Sequence, residues 1–238
     1  MVFLCVAAWI ITLTDLGNPI RKYNRGTTFY LEYFVYYSNI SLTLYMVTVS
    51  FGAFFITMKA YKYKFGRPVP TDKVCRFRKV YWKLHQMKSM VALSVTTAYW
   101  LIVHPVSDYP LDLNNFLAHV TNSALALFDF AVTGLPYNFS VVWIGWIYST
   151  CYIVLTYIYW TSGGYARPSP FEEHSTSKVL YKNCTDWGIP GRVFACFLGF
   201  IFSMSMWHVL TTALNRIRLR WWKERPEDMK GFKNMPQE

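Results

Sequence analysis

Charge is scarce in this chain, and acidic charge is scarcer still: 16% of its 238 residues are charged, with 13 Asp and Glu against 24 Lys and Arg. Soluble domains carry about a quarter of their residues as charges, and this chain falls well short of that class. Soluble-enzyme signatures are missing too. There is no phosphate-binding Gly loop, no Gly-x-Ser-x-Gly elbow, no His-Glu-x-x-His and no paired-cysteine metal site. Neither a metal nor a cofactor is expected. The five cysteines, Cys5, Cys75, Cys151, Cys184 and Cys196, are widely spaced. Three of them lie in apolar stretches, where Cys behaves as a small hydrophobe, and no disulfide framework is expected.

Apolar residues are what the chain has in abundance, at 53% hydrophobic and 19% aromatic. A hydrocarbon core about 30 Å thick takes roughly 20 apolar helical residues to cross. Six runs approach that length: Met1 to Leu16, Phe29 to Met58, Met87 to His104, Leu113 to Gly134, Val141 to Trp160, and Arg192 to Leu214. They predict an all-α, polytopic transmembrane helix bundle of about six spans, or five if the first is incomplete. The first run is short, ends on Asp15 and begins at Met1, so native chain could precede it. It has no basic n-region of the kind a signal peptide carries, and it reads as a span. Gly17-Asn18-Pro19, Gly66-Arg67-Pro68, Gly134-Leu135-Pro136 and Ser162-Gly163-Gly164 punctuate the same map as chain reversals. One transmembrane domain over 1–214 and a basic cytoplasmic tail over 215–238 are expected.

The net charge of +11 would suit nucleic acid if it formed a face. Here it lies between apolar runs, which favours membrane orientation and disfavours nucleic acid. The Lys59 to Lys83 connection and the Arg216 to Lys233 tail are the two basic blocks. Six spans put both on one side, and the positive-inside rule makes that side cytoplasmic. Arg76 to Lys83, and Arg216 to Lys223 with Trp221-Trp222, mix bases with aromatics, as segments resting on an anionic leaflet do. The sequon Asn183-Cys184-Thr185 falls on the other side, making Asn183 a glycosylation candidate; Asn138-Phe139-Ser140 falls on the cytoplasmic side, where it is not used. The sequence is compatible with the plasma membrane or the endoplasmic reticulum.

Ionisable and polar groups inside a span are costly and mark the first places to look for function. Asn115, His119, Asn122 and Asp129 fall within an arc of roughly 80° on the fourth span. That stripe must face other helices or a wet cavity, either as hydrogen-bonding glue or as a site. The second span adds Ser38, Asn39, Ser41 and Thr43, small polar residues whose hydroxyl members most often satisfy their own backbone. Ser38 lies roughly 13 Å into its span and His119 roughly 9 Å beyond Leu113, on the same external side. The two residues are therefore candidates to share one cavity. Glu32 and His104 near span ends weigh less, and His208 beside Trp207 is a secondary candidate that packing alone would explain.

Tyr36-Tyr37-Ser38-Asn39-Ile40-Ser41, His119-x-x-Asn122-Ser123 with Asp129 and Pro136, and Tyr159-Trp160-x-x-Gly163-Gly164 occur in an order that resembles rolling stone-like proteins. Tyr181, Asp186-Trp187 and Pro190 continue it, so the resemblance covers about Tyr33 to Pro190. Rolling stone-like proteins are similar to a wider group of multi-span proteins, the androgen-induced-gene (FAR-17a) type. Some of those are intramembrane threonine hydrolases of fatty acid esters of hydroxy fatty acids. The resemblance places Ser38 where that group's nucleophilic Thr stands, but it puts Asn122 where the catalytic His stands, and a neutral amide cannot accept the nucleophile's proton. His119 matches the first histidine of the pair, one turn away. The rolling stone branch is associated with myoblast fusion and is not implied to be catalytic.

Three readings follow. The first is a multi-pass protein of the rolling stone type, acting in membrane interaction or fusion, or binding lipid in an intramembrane cavity among Ser38, His119 and Asn122. The second is a lipid esterase, with Ser38 as nucleophile, His119 as base and Asn122 as oxyanion donor. The third and weakest takes His119 and Asp129 as a proton or ion path. Membrane lipids are the expected partners.

Overall fold

The computed structural model describes residues 6–7, 10–11, 34–65, 71–106, 113–133, 135–164, 178–181 and 184–223. Nearly all of the expected first span, together with Glu32 and Asn183, lies outside the described residues, as does the side chain of Asn115. All regular structure among the described residues is helical.

Helix α1 spans Tyr37–Lys64 and α2 spans Thr71–Ala98. A π turn at Tyr99–Val103 and a 3-10 turn at His104–Val106 prolong α2. The next helical stretch is built in three parts: α3 at Leu113–Phe116, a π turn at Leu117–Thr121, and α4 at Asn122–Val132. A 3-10 turn, Phe139–Val141, leads into α5 at Val142–Thr161, and α6 at Pro190–Lys223 closes the described chain. By length and composition, three helices can cross a membrane: Tyr37–Met58, Phe139–Thr161 and Pro190–Arg220. The Leu117–Val132 stretch is apolar but shorter.

The boundaries differ from the apolar runs where charge and helix coexist. α2 begins at Thr71, sixteen residues before the run at Met87, because Lys and Arg are good helix formers even where hydropathy falls. α6 likewise runs on through the basic Arg216 to Lys223. The expected second span starts later as helix. Residues 34–36 form a turn, and the amides of Asn39 and Ile40 bond the Tyr36 carbonyl at 3.1 Å. Ser38 therefore sits in the first turn of α1 rather than deep along it.

Local chemistry accounts for the ends. Pro190 opens α6, where a missing N–H costs nothing. Gly163 closes α5 at φ +79°, a conformation that favours glycine, and the amides of Ser162 and Gly164 return to the carbonyls of Ile158 and Tyr159. Pro105 cannot donate to the preceding turn, and the helix loosens into π geometry before it. Asn138 caps the start of α5, its side chain accepting from the Ser140 amide at 3.0 Å.

α2 is the central post, packed by α1, α4, α5 and α6. Met87, Met90, Val91 and Val95 meet Tyr37, Val141 and Met204 in the largest buried cluster. Lipid tails are as apolar as these side chains, so close packing and interhelical hydrogen bonds must supply the association energy. Small residues permit the approach. A Cβ on Gly52 would stand 2.5 Å from the Tyr81 hydroxyl, and one on Gly145 would stand 3.1 Å from Met90.

The cysteine expectation is corrected here. Cys184 and Cys196 form a disulfide, with Cα atoms 5.3 Å apart. An apolar run predicts that Cys196 behaves as a small hydrophobe, but the turn at Asp186 to Pro190 folds the connection back and brings Cys184 against the first turns of α6.

Candidate functional site

A partly open cavity of about 100 Å³ lies among α1, the end of α2, the two π turns, α5, the described part of the connection before α6, and α6. Its walls are mostly apolar, with Val95, Ala98, Tyr152 and Phe200 among them. Ser38, His119, Ser149, Tyr181 and Thr185 bring polar atoms to it, and the Cys184–Cys196 bond forms part of the wall.

Each polar group is positioned by a different device. Ser38 is held at the α1 N-terminus, its Oγ 3.5 Å from the Tyr181 hydroxyl, which also accepts from the Ser38 amide at 3.5 Å. Tyr181 is fixed by its own turn. The amides of Cys184 and Thr185 bond the Tyr181 carbonyl, and the Thr185 hydroxyl accepts from the Tyr181 amide at 2.7 Å. Burial pushes the Tyr181 phenol above its ordinary value, and hydrogen bonding with Ser38 pulls the other way, so the group is a neutral hydroxyl. Tyr37 crosses to Ser149 on α5 at 2.9 Å.

His119 comes from the middle of one π turn, and Tyr99 begins the other. The two rings lie flat on each other, with centroids 3.4 Å apart and planes 5° apart. A single wide turn re-aims side chains that a regular helix would send elsewhere, which is why π bulges recur at functional sites. The Thr96 hydroxyl donates to the His119 carbonyl and bonds Ser123, securing the loosened turn. Nδ1 of His119 is buried without a hydrogen-bond partner.

The sequence candidates separate into two groups. Ser38 and His119 meet at one cavity as expected, although no hydrogen bond joins them; Ser38 engages Tyr181, and His119 stacks on Tyr99. Asn122 does not line the cavity. Its Nδ2 donates to Ser41 on α1 at 3.0 Å, tying two helices together. Thr43 bonds the Asn39 carbonyl one turn back, and Asn39 is buried beside it. His208 donates from Nε2 to the Asn138 carbonyl at 3.0 Å and tilts against Phe139, a packing role.

Asp129 belongs to a second cluster nearer the opposite end of the bundle. Its Oδ2 accepts from Lys88, and Nδ1 of His85 lies 3.3 Å from the same oxygen. Lys88 also rests over the Tyr45 ring, 4.0 Å from its centroid. Sequence reasoning missed Lys88, His85, Tyr99 and the disulfide. A lone Lys in one apolar run and a lone Asp in the next were the available signal for the ion pair; nothing local announces the stacked tyrosine.

With this geometry in place, comparison with known proteins places the chain. The family model described as protein rolling stone matches residues 3–224. Protein rolling stone of Drosophila melanogaster is 26% identical over 187 residues, covering 75% of this chain and 65% of that protein's length. No solved structure matches.

Proposed function

The chain belongs to the rolling stone family, and from that premise we propose that this membrane protein holds part of a lipid in its Ser38–His119 cavity and acts at membrane contact or fusion. The supporting observation is the cavity itself: apolar walls, with the hydroxyls of Ser38 and Tyr181 and the ring of His119 gathered at it. Apolar cavities of roughly 150 Å³ stay dry and accept a molecule the size of benzene. About 100 Å³ suits a segment of an acyl chain, not a whole lipid. The remainder of the molecule would lie in the bilayer.

The reading includes six spans, with the described helices following a first span near the N-terminus. Lys59 to Lys83 and the residues from Arg216 onward face the cytoplasm, and exposed Phe77, Arg78 and Lys79 on α2 rest on anionic lipid. The disulfide supports that orientation, because such bonds persist in oxidising compartments and this one lies at the end away from the basic blocks. The proposed kinship with the androgen-induced-gene group is carried by Ser38, at the position of that group's nucleophilic Thr, and His119, at the first of its paired histidines. An esterase has the shared cavity in its favour, but Ser38 is engaged by Tyr181, and the Asn122 amide is spent on Ser41. Holding fits these contacts better than cleaving.

Native mass spectrometry of the full chain released from nanodiscs tests the proposal. A retained lipid is expected for the wild type, lost in Val95→Trp, which fills the cavity, and kept in Phe202→Trp, which alters an exposed position on α6. No lipid on the wild type, or equal retention in Val95→Trp, would overturn it.

A further inference from the structure

The His85, Lys88 and Asp129 cluster is separate from the cavity and is not used by the reading above. All three side chains are buried, at 1%, 1% and 2% exposure. Among the described side chains of the helices, Asp129 is the one carboxylate. A Lys–Asp pair alone would be neutral and complete, yet His85 addresses the same Oδ2. Its Nδ1 faces a carboxylate oxygen, so in the neutral ring that nitrogen carries the hydrogen and Nε2 carries the lone pair. Neither ring nitrogen makes a hydrogen bond, and Nε2 has no carboxylate beside it as Nδ1 has. Leaving a buried acceptor idle is costly, and it calls for a reason beyond packing.

We propose that His85, Lys88 and Asp129 form a proton-binding site, in which Nε2 of His85 takes up one proton from the aqueous side nearer Asp129. A hydronium ion delivers the proton and leaves as water. The new N–H bond forms on the Nε2 lone pair, and the cluster passes from net zero to net +1. Asp129 favours the charged ring and Lys88 opposes it across the same oxygen.

The surroundings suit this exchange. From α1, Tyr45 covers Lys88. On α2, the Tyr81 ring stands 6.0 Å from His85. In the connection after α4, Tyr137 packs at 6.1 Å from His85 and donates to Ser89 at 3.2 Å. From α6, partly buried Arg218 adds a second fixed positive charge, held on the Phe130 carbonyl and on Asn215. Asp129 lies three residues before the end of α4, about 5 Å from it along the axis. The connection after α4 is tied down where the Asn138 amide donates to Gln86 at 2.7 Å.

The test is nitrogen NMR of 15N-histidine-labelled full chain in nanodiscs between about pH 5 and pH 8, the range in which imidazoles ordinarily titrate. His85→Gln identifies the signal. Lys88→Met should strengthen proton binding at His85 at least tenfold over the wild type. The charge-free Lys88→Met/Asp129→Asn variant, which leaves no buried ion behind, should weaken it at least tenfold from that point. The His208 signal should stay put throughout. If proton affinity at His85 differs less than twofold across the set, or if His85 in Lys88→Met never reaches the doubly protonated form while the chain stays helical, the cluster is a structural ion pair and the proposal fails. Lipid retention in Lys88→Met is read in parallel, so failure here is distinct from failure of the cavity.

Discussion

Replacing Lys88 with Met removes a cation while keeping an unbranched side chain one heavy atom shorter, and it strands Asp129 among buried groups. The pair is in direct contact and nearly inaccessible to solvent. Unit charges about 4 Å apart attract by about 4 kcal/mol at an effective dielectric of about 20. Breaking a buried pair by deleting one partner costs about 3–5 kcal/mol, because the other charge stays behind. Replacing both partners with neutral groups of similar shape is often close to neutral. Lys88→Met alone should therefore destabilise by about 3 kcal/mol or more, and Lys88→Met/Asp129→Asn by about 1 kcal/mol, so adding Asp129→Asn to Lys88→Met should recover about 2 kcal/mol. His85 adds a sign. In Lys88→Met it is the one cation left against Asp129 Oδ2, so protonating it restores a pair in the folded state. The loss should then be largest at high pH and shrink as pH falls. Reversible unfolding in bicelles by steric trapping, run as a double-mutant cycle at two pH values, measures all of this. A single variant costing under about 1 kcal/mol, or a double variant as damaged as the single, would refute the reasoning.

Three further outcomes are expected. Tyr181→Phe deletes the hydroxyl shared with both Ser38 contacts and should cost about 1 kcal/mol of stability and weaken lipid retention several-fold, read by unfolding and native mass spectrometry; unchanged retention would detach Tyr181 from the site. Gly52→Val drives a Cβ into the Tyr81 hydroxyl and should cost about 1–3 kcal/mol in the same unfolding assay, whereas Gly199→Val, with open space around it, should cost much less. After reduction of sealed vesicles, a membrane-impermeant maleimide should label Cys184 and Cys196 from outside, and without reduction it should label neither; labelling from the cytoplasmic side only would reverse the proposed orientation.

What the sequence disclosed depended on how far each interaction reaches. Apolar runs report on solvent, and the expected Val141 to Trp160 segment lies within the observed apolar stretch Phe139–Thr161. Helical spacing reports on faces, and His119, Asn122 and Asp129 are all buried. Partners were another matter. Helical periodicity puts Asn122 and His119 on one stripe, but only packing decides that one reaches Ser41 and the other Tyr99. The π turns shift the register by one residue within each helix, and hydropathy is blind to that shift. Lys88 was hidden for a related reason: it is the second residue of its apolar run, where a lysine reads as the end of a span rather than as a buried charge.

The cavity wall draws on both ends of the chain, from Tyr37 to Phe200, with the Cys184–Cys196 bond part of it. About 160 residues of synthesis separate those ends, and at about 5–20 residues per second that is roughly 8–30 s on the ribosome. Through the second half of that interval, once His119 has been made, Ser38 and His119 can already be in the bilayer while the α6 part of the wall has yet to be made. On the proposed lipid-holding reading, a lipid present at the birth of the protein would be built in rather than admitted later, and the membrane in which translation occurs would choose the first occupant.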